Sequence, residues 1–244
     1  MPRNPKKRSG EARNRMRVLL PNDPHKLDVG MDDSGRSSIA GPLVLAALWH
    51  PEPRYLQYIG ATDSKRTTPA ERDLFVRKLE RDARAKIGYA TASPEWIDRC
   101  GVNQAEAYAV RSAFDQLALD LEVSYDDLRL LIDGGKSFPN LPTNLETHYL
   151  PGGDGYQPLI AAASMCARAM YDKLIRELHE QDPDWLLLKH WGAPTDEHRQ
   201  LIYERGLKPW HRRKTAMSAV ATYALKHRIR FPTWMTGDCP EEAS

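Results

Sequence analysis

Cysteine is scarce in this chain of 244 residues, with only Cys100, Cys166 and Cys239. An odd, widely separated set excludes a disulfide framework and the close pairs of a zinc site, and it suits a reducing cytoplasm. Long apolar runs are missing as well. The longest nearly uncharged stretch, Ile39 to Trp49, contains Gly41-Pro42 and falls far short of the roughly 20 residues that a bilayer-crossing helix needs. No membrane association is therefore expected. The basic N-terminus has no apolar segment behind it, which excludes a secretory signal. Internal repeats are absent, and so is low-complexity sequence beyond the first residues.

Acid is missing where base is concentrated. Residues 1–17 hold seven Lys/Arg against one Glu, and residues 206–237 hold seven Lys/Arg and no acid, although the whole chain is only +2. The middle is correspondingly acidic. A basic rim around an acidic centre fits a protein that gathers cations at carboxylates and phosphate at its edges; solvated faces and tails give the same pattern. The organisation expected is a disordered basic arm over 1–20, one folded unit over 21–214, and a C-terminal helix with an acidic tail over 215–244.

Strands are expected at Lys26–Asp32, Leu43–His50, Tyr55–Gly60, Ile87–Ala92, Leu128–Ile132 and Thr147–Leu150. Thr68-Pro69 with Glu71 is a capping-box start for a helix from Pro69 to about Ala85. Further helices are expected after Ser93-Pro94, from Asn103 to about Leu121, from Pro158 to about Glu180, over Thr195–Arg205 and over 215–230. Early strands close together, followed by interleaved strands and helices, describe an α/β fold with a mixed sheet.

Acids at strand ends are the first chemical clue. Asp32 and Asp33 follow one strand, and Asp133-Gly134 ends another, Leu128–Ile132, that is apolar apart from Arg129. That places carboxylates at the sheet edge where α/β folds bind ligands, although Asp-Gly is equally good turn chemistry. The second clue is the helix Leu159 to Asp172, whose small residues permit close approach to a sheet; Asp172 is read either as a site acid or as a solvated one.

In order, Gly30-Met31-Asp32-Asp33-Ser34-Gly35-Arg36, Ala40-Gly41-Pro42, Asp63-Ser64-Lys65 and Leu131-Ile132-Asp133-Gly134 resemble ribonuclease HII. So do Gly153-Asp154, Ile160-Ala161-Ala162-Ala163-Ser164 with Asp172, Lys189-His190 with Thr195 and His198, and His211-Arg212-Arg213. The resemblance runs from about residue 27 to about residue 214 and makes residues 21–214 a ribonuclease HII-like catalytic domain. It implies the ribonuclease H-like mixed five-stranded sheet flanked by helices, with a C-terminal helical extension. It also implies four acidic metal ligands, placed on Asp32, Asp33, Asp133 and Asp172, and substrate contacts from Gly35, Arg36, Ser37 and Lys65. Hard oxygen ligands suit Mg²⁺ or Mn²⁺, and two such ions serve an in-line displacement at phosphorus. Clustered carboxylates repel one another, so at least one is expected to have a raised pKa without metal.

The implied activity is metal-dependent endonucleolytic hydrolysis of the RNA strand of RNA–DNA hybrids, or of ribonucleotides embedded in duplex DNA, leaving 3′-OH and 5′-phosphate ends. The protein is expected to be a cytoplasmic monomer. Three positions depart from the family pattern. Asp33 stands where Glu is usual, Ser37 replaces the second glycine of Gly-Arg-Gly, and Ala193 stands where the family carries a tyrosine against the sugar beside the ribonucleotide. Two alternatives stay open: the same chemistry with relaxed junction specificity, or a non-catalytic nucleic-acid-binding protein on the same fold.

Overall fold

A computed structural model describes residues 25–135, 137–138 and 140–236. The basic arm expected over 1–20 and the acidic tail lie outside the described residues.

Five strands, β1 (Leu27–Ser34), β2 (Leu43–Trp49), β3 (Lys86–Ala92), β4 (Leu128–Asp133) and β5 (Glu146–Leu150), form one sheet in the order β3-β2-β1-β4-β5. The first three make an antiparallel meander, and β4 and β5 run parallel to β1. The expected mixed five-stranded sheet is therefore present. Around it lie α1 (Pro53–Ile59), α2 (Pro69–Glu80), α3 (Pro94–Cys100), α4 (Val102–Leu121), α5 (Pro158–Gln181), α6 (Leu187–His190), α7 (Asp196–Arg205), α8 (Arg213–His227) and α9 (Thr233–Thr236). No helix among the described residues is long and apolar enough to cross a membrane.

Both faces of the sheet are covered near its centre, so β2 reads as a continuous apolar run rather than an alternating one, and β4 does so apart from Arg129. The period of two still sorts the side chains. Leu43, Leu45 and Ala47 of β2 pack with Val29, Met31 and the buried face of α4. Val44, Ala46 and Leu48 pack with α5 on the other face. The small residues of α5 let its backbone lie against β1. A Cβ on Gly30 would fall 2.2 Å from the Leu159 carbonyl carbon, and one on Gly88 would fall 2.1 Å from the Ala113 oxygen under α4. Because the obstruction at Gly30 is helix backbone, Gly30→Ala is expected to cost about 3 kcal/mol, at the upper end of overpacking penalties. Urea denaturation checks this, and an unchanged midpoint would contradict the close approach.

The segment expected as a strand at Tyr55–Gly60 is instead α1. Its β-rich composition is overridden by Pro53 in the first turn, by Gly60 in the left-handed region at φ 118°, and by Leu56 and Ile59, which are buried three residues apart on one helical face. The helix begun at Pro69 stops at Glu80 rather than Ala85, with its capping box formed as expected. Gly101, not Asn103, is the N-cap of α4.

Candidate active site

Met31 lies opposite Ile132 across the parallel β1–β4 pair. The next residue on each strand is an aspartate, and both aspartates turn toward the α5 face. Asp133 Oδ1 accepts the Gly153 N–H at 2.7 Å. That bond ties in a 3-10 turn over Gly153–Gly155, entered through Gly152 in the left-handed conformation at φ 69°. The turn carries Asp154. One oxygen from each of Asp32, Asp133 and Asp154 lies within 4.8 Å of the others, a grouping able to hold a metal ion.

Ser164 on α5 lies beside Asp32 and favours its charged form, and Asp32 Oδ1 accepts the Asp33 N–H at 2.7 Å. Burial, followed by the charges of Asp33 and Asp133, still pushes its pKa up to about 8. The expectation of at least one raised carboxylate pKa is thus met at Asp32. Burial and the neighbouring Asp133 also raise the pKa of Asp154, with Lys65 opposing. The Lys65 Nζ is 3.5 Å from Asp154 Oδ2, on a side chain 79% exposed. Partial burial works against the Lys65 charge, but Asp154, Asp32 and Asp63 outweigh it and raise the lysine's pKa.

Two of the four acids expected as ligands lie outside this group. Asp33 sits on the opposite side of the β1 pleat, facing α4, where burial and the Glu106 charge raise its pKa to about 6. It remains coupled to Asp133 through charge. Asp172 is fully buried on α5. Its Oδ2 accepts from Arg72 Nε at 2.8 Å and its Oδ1 from Arg168 Nε at 2.9 Å. Eight residues of helix separate it from Ser164, a rise of about 12 Å. Asp154, not Asp172, completes the acidic group. Gly153-Asp154 matches the family's motifs in sequence, but nothing local marks its carboxylate as a site acid.

The expected substrate contacts lie on the rim. Gly35, at φ 83°, has no room for a side chain, since a Cβ would meet the Tyr171 ring at 2.3 Å. Ser38 N–H closes the turn on the Gly35 carbonyl at 3.1 Å, and Ser37 is exposed. Arg36 turns toward α4, where its Nε donates to the buried Glu106 at 2.9 Å and its Nη2 to Asn103 at 2.7 Å. Arg212 is buried behind this turn. It is 1% exposed and donates to the carbonyls of Gly41, Arg36 and Pro42 at 3.0, 3.0 and 2.8 Å, which fixes the loop carrying the rim. Glu106 carries no sequence signal, and the motif that contains Arg212 does not show what the arginine holds, since both roles depend on contacts across the fold.

The rings of His190 and His198 stack with centroids 3.8 Å apart. The His211 Nδ1 accepts the Lys208 N–H at 2.8 Å, so its Nε2 carries the proton and donates to His198 Nε2 at 3.1 Å. His198 in turn donates from Nδ1 to the Ala193 carbonyl at 2.9 Å. Trp191 packs partly buried against the α5 core, with Arg168 6.0 Å above its ring.

A twisted mixed sheet with clustered carboxylates at its centre defines a ribonuclease H-like protein, and solved structures bear out the fold. The ribonuclease H2 of Pyrococcus horikoshii OT3 superposes with a TM-score of 0.65 at 22% identity, covering 80% of this chain and 98% of that one. Bst-RNase HIII in complex with Mn²⁺ superposes with a TM-score of 0.64 at 16% identity, covering 82% and 70%. Residues 29–219 match the family model described as Ribonuclease HII. A Ribonuclease HII from Synechococcus elongatus is 37% identical over 194 residues, which span 79% of this chain and 86% of that protein. The chain belongs to the ribonuclease HII family and is a ribonuclease H-type endoribonuclease.

Proposed function

We propose that this chain hydrolyses the RNA strand of RNA–DNA hybrids, or ribonucleotides embedded in duplex DNA, using divalent metal held by Asp32, Asp133 and Asp154. The observation that carries the reading is the convergence of those three carboxylates to within 4.8 Å of one another. Three hard oxygen donors suit Mg²⁺ or Mn²⁺, which retain water and bind substrate phosphate. Asp33, coupled to Asp133 from the other face of β1, is the remaining acid for a second ion. When bound, such ions lower the pKa of an attacking water and stabilise the departing 3′ oxygen, which gives 3′-OH and 5′-phosphate ends.

The protein's own groups organise the rest. The Asp33 N–H orients Asp32, and the Gly153 N–H orients Asp133. Lys65 offers an exposed cation for a backbone phosphate beside the acids. The Gly35-Arg36-Ser37 turn, held from behind by Arg212, presents backbone groups to the ribonucleotide, and one chain carries the complete set.

A second reading concerns specificity. Ala193 offers only a methyl group where the family has a phenol ring, and Trp191 is packed on the core, so no aromatic side chain takes over that place from position 191. Junction selectivity is therefore relaxed. Cleavage of duplexes carrying one ribonucleotide, four ribonucleotides or a full RNA strand, in Mg²⁺ and in Mn²⁺, tests both readings. Similar kcat/KM on all three is the expected result. A preference of more than about 100-fold for the single ribonucleotide, which corresponds to roughly 2.7 kcal/mol, would remove the relaxed reading. Cleavage of none in either metal would overturn the function itself.

A further inference from the structure

The buried pair Arg72–Asp172 lies outside the acidic group, yet it is connected to its rim. Asp172 is 0% exposed and Arg72 is 4% exposed. Two nitrogens of Arg72 reach Asp172 Oδ2, at 2.8 Å from Nε and 2.7 Å from Nη2. The remaining nitrogen, Nη1, turns the other way. It donates to the carbonyl of Ser64 at 3.0 Å, to the carbonyl of Thr67, and to Thr67 Oγ1 at 3.1 Å. Those carbonyls bracket the 3-10 turn Ser64–Arg66, which carries Lys65. The same turn is fastened to α5 a second time, where Ser164 Oγ donates to Ser64 Oγ at 2.9 Å.

A buried ion pair is weak support for stability, because desolvation offsets most of its attraction. Its more specific effect is to fix geometry. A guanidinium is planar and forked, so clamping one edge on Asp172 aims the other edge at the turn. Arg168, bonded to Asp172 Oδ1 at 2.9 Å, holds the carboxylate from its far side.

We propose that Asp172 and Arg72 are positioning residues that hold the Ser64–Arg66 turn so that Lys65 stands over Asp154 and meets a substrate phosphate. The proposal rests on the nuclease reading above and adds a role for an acid that the metal group leaves out. Arg72→Lys is the informative variant. It keeps a cation beside Asp172 and so avoids stranding a buried charge, but an ammonium on a single stem cannot hold both carbonyls as the fork does.

Duplex binding is measured by fluorescence anisotropy in EDTA across a salt series, with kcat and KM measured in Mg²⁺, for wild type, Arg72→Lys, Lys65→Ala and the double variant. Lys65→Ala should weaken binding about 10-fold and lower the salt slope by about one phosphate contact. Arg72→Lys should do the same although it leaves the net charge unchanged, with KM rising and kcat changing less than about 3-fold. The double variant should be no worse than Lys65→Ala alone, because both remove one contact. Unchanged salt slope in Arg72→Lys, or effects that multiply in the double variant, would overturn the proposal. Wild-type protein that cuts no ribonucleotide-containing duplex would instead defeat the underlying nuclease reading.

Discussion

Asp154→Asn is expected to reduce cleavage as severely as Asp133→Asn, by at least about 100-fold, because each removes a carboxylate that meets the proposed ion directly. Loss of a group that merely orients a metal ligand already costs about 10- to 100-fold in affinity or activity, and loss of a ligand should exceed that. Asp154 and Asp133 share one side of the site with Asp32, so the amide retains size and hydrogen bonding while losing the charge that attracts a divalent ion. Stability should not fall in parallel, since a neutral group at position 154 removes a repulsion with Asp133 that already raises the Asp154 pKa. Asp172→Asn should show the opposite pattern. Leaving Arg72 and Arg168 without their carboxylate costs about 3–5 kcal/mol, as for other broken buried pairs, while its kcat falls far less than that of Asp154→Asn. Activity assays paired with urea denaturation separate the two. Equal kcat losses in Asp172→Asn and Asp154→Asn, with both proteins folded, would restore Asp172 to the ligand set.

Acid should expose the histidine chain, and metal should determine how clearly. Burial holds His198 and His211 down to about 3, with their positively charged neighbours adding to it, and burial lowers His190 too. The unfolded chain takes up these protons near pH 6.5, so it binds more protons than the native state below that pH. The stability they contribute is present above pH 6.5 and is lost as pH falls toward 3, at about 1.4 kcal/mol per pH unit for each histidine. Asp32 and Asp33 have the opposite sign. Burial raises them to about 8 and about 6, so without metal the native state takes up protons there and gains stability on acidification. Chelated protein should therefore vary little in stability between pH 6.5 and 5. In saturating Mg²⁺ the carboxylates stay ionised, and the histidine slope of about 3 kcal/mol per pH unit emerges. Denaturation at pH 7, 6 and 5, in EDTA and in Mg²⁺, makes the comparison. Identical pH dependence under both conditions would contradict it.

Much of this architecture is written locally. Capping residues mark α2 and α7, an unbroken apolar run marks β2 as a strand covered on both faces, and β4 is apolar apart from Arg129. Asp32 and Asp133 were readable because a strand fixes where its last side chains emerge. Asp33 is harder to place, since neighbours in sequence on a strand face opposite ways while the family motif pairs it with Asp32. Asp154 depends on Gly152 adopting a left-handed conformation and on a hydrogen bond from Gly153 to a strand 20 residues earlier. Neither has a local periodicity. Asp172 shares a face of α5 with other core residues, yet the distance along the helix axis and the arginine arriving from α2 decide what it touches. Arg212 lies in a basic run of the kind ordinarily found at a surface; only the fold brings the carbonyls of Gly41, Arg36 and Pro42 around it.

The bare backbone contact between Gly30 and α5 has a consequence for how this chain can vary in length. With no side chain between strand and helix, α5 has a single rotational phase relative to β1. One residue inserted between Leu159 and Asp172 would turn everything downstream by about 100°. An insertion before Ser164 would take the serine away from Asp32 and Asp172 away from Arg72 together. Length changes are therefore expected beyond Asp172, toward the exposed end of α5 near Gln181, where no strand sets the phase. The helix acts as an indexing rod whose first four turns are keyed to the sheet and whose last turns are free to lengthen.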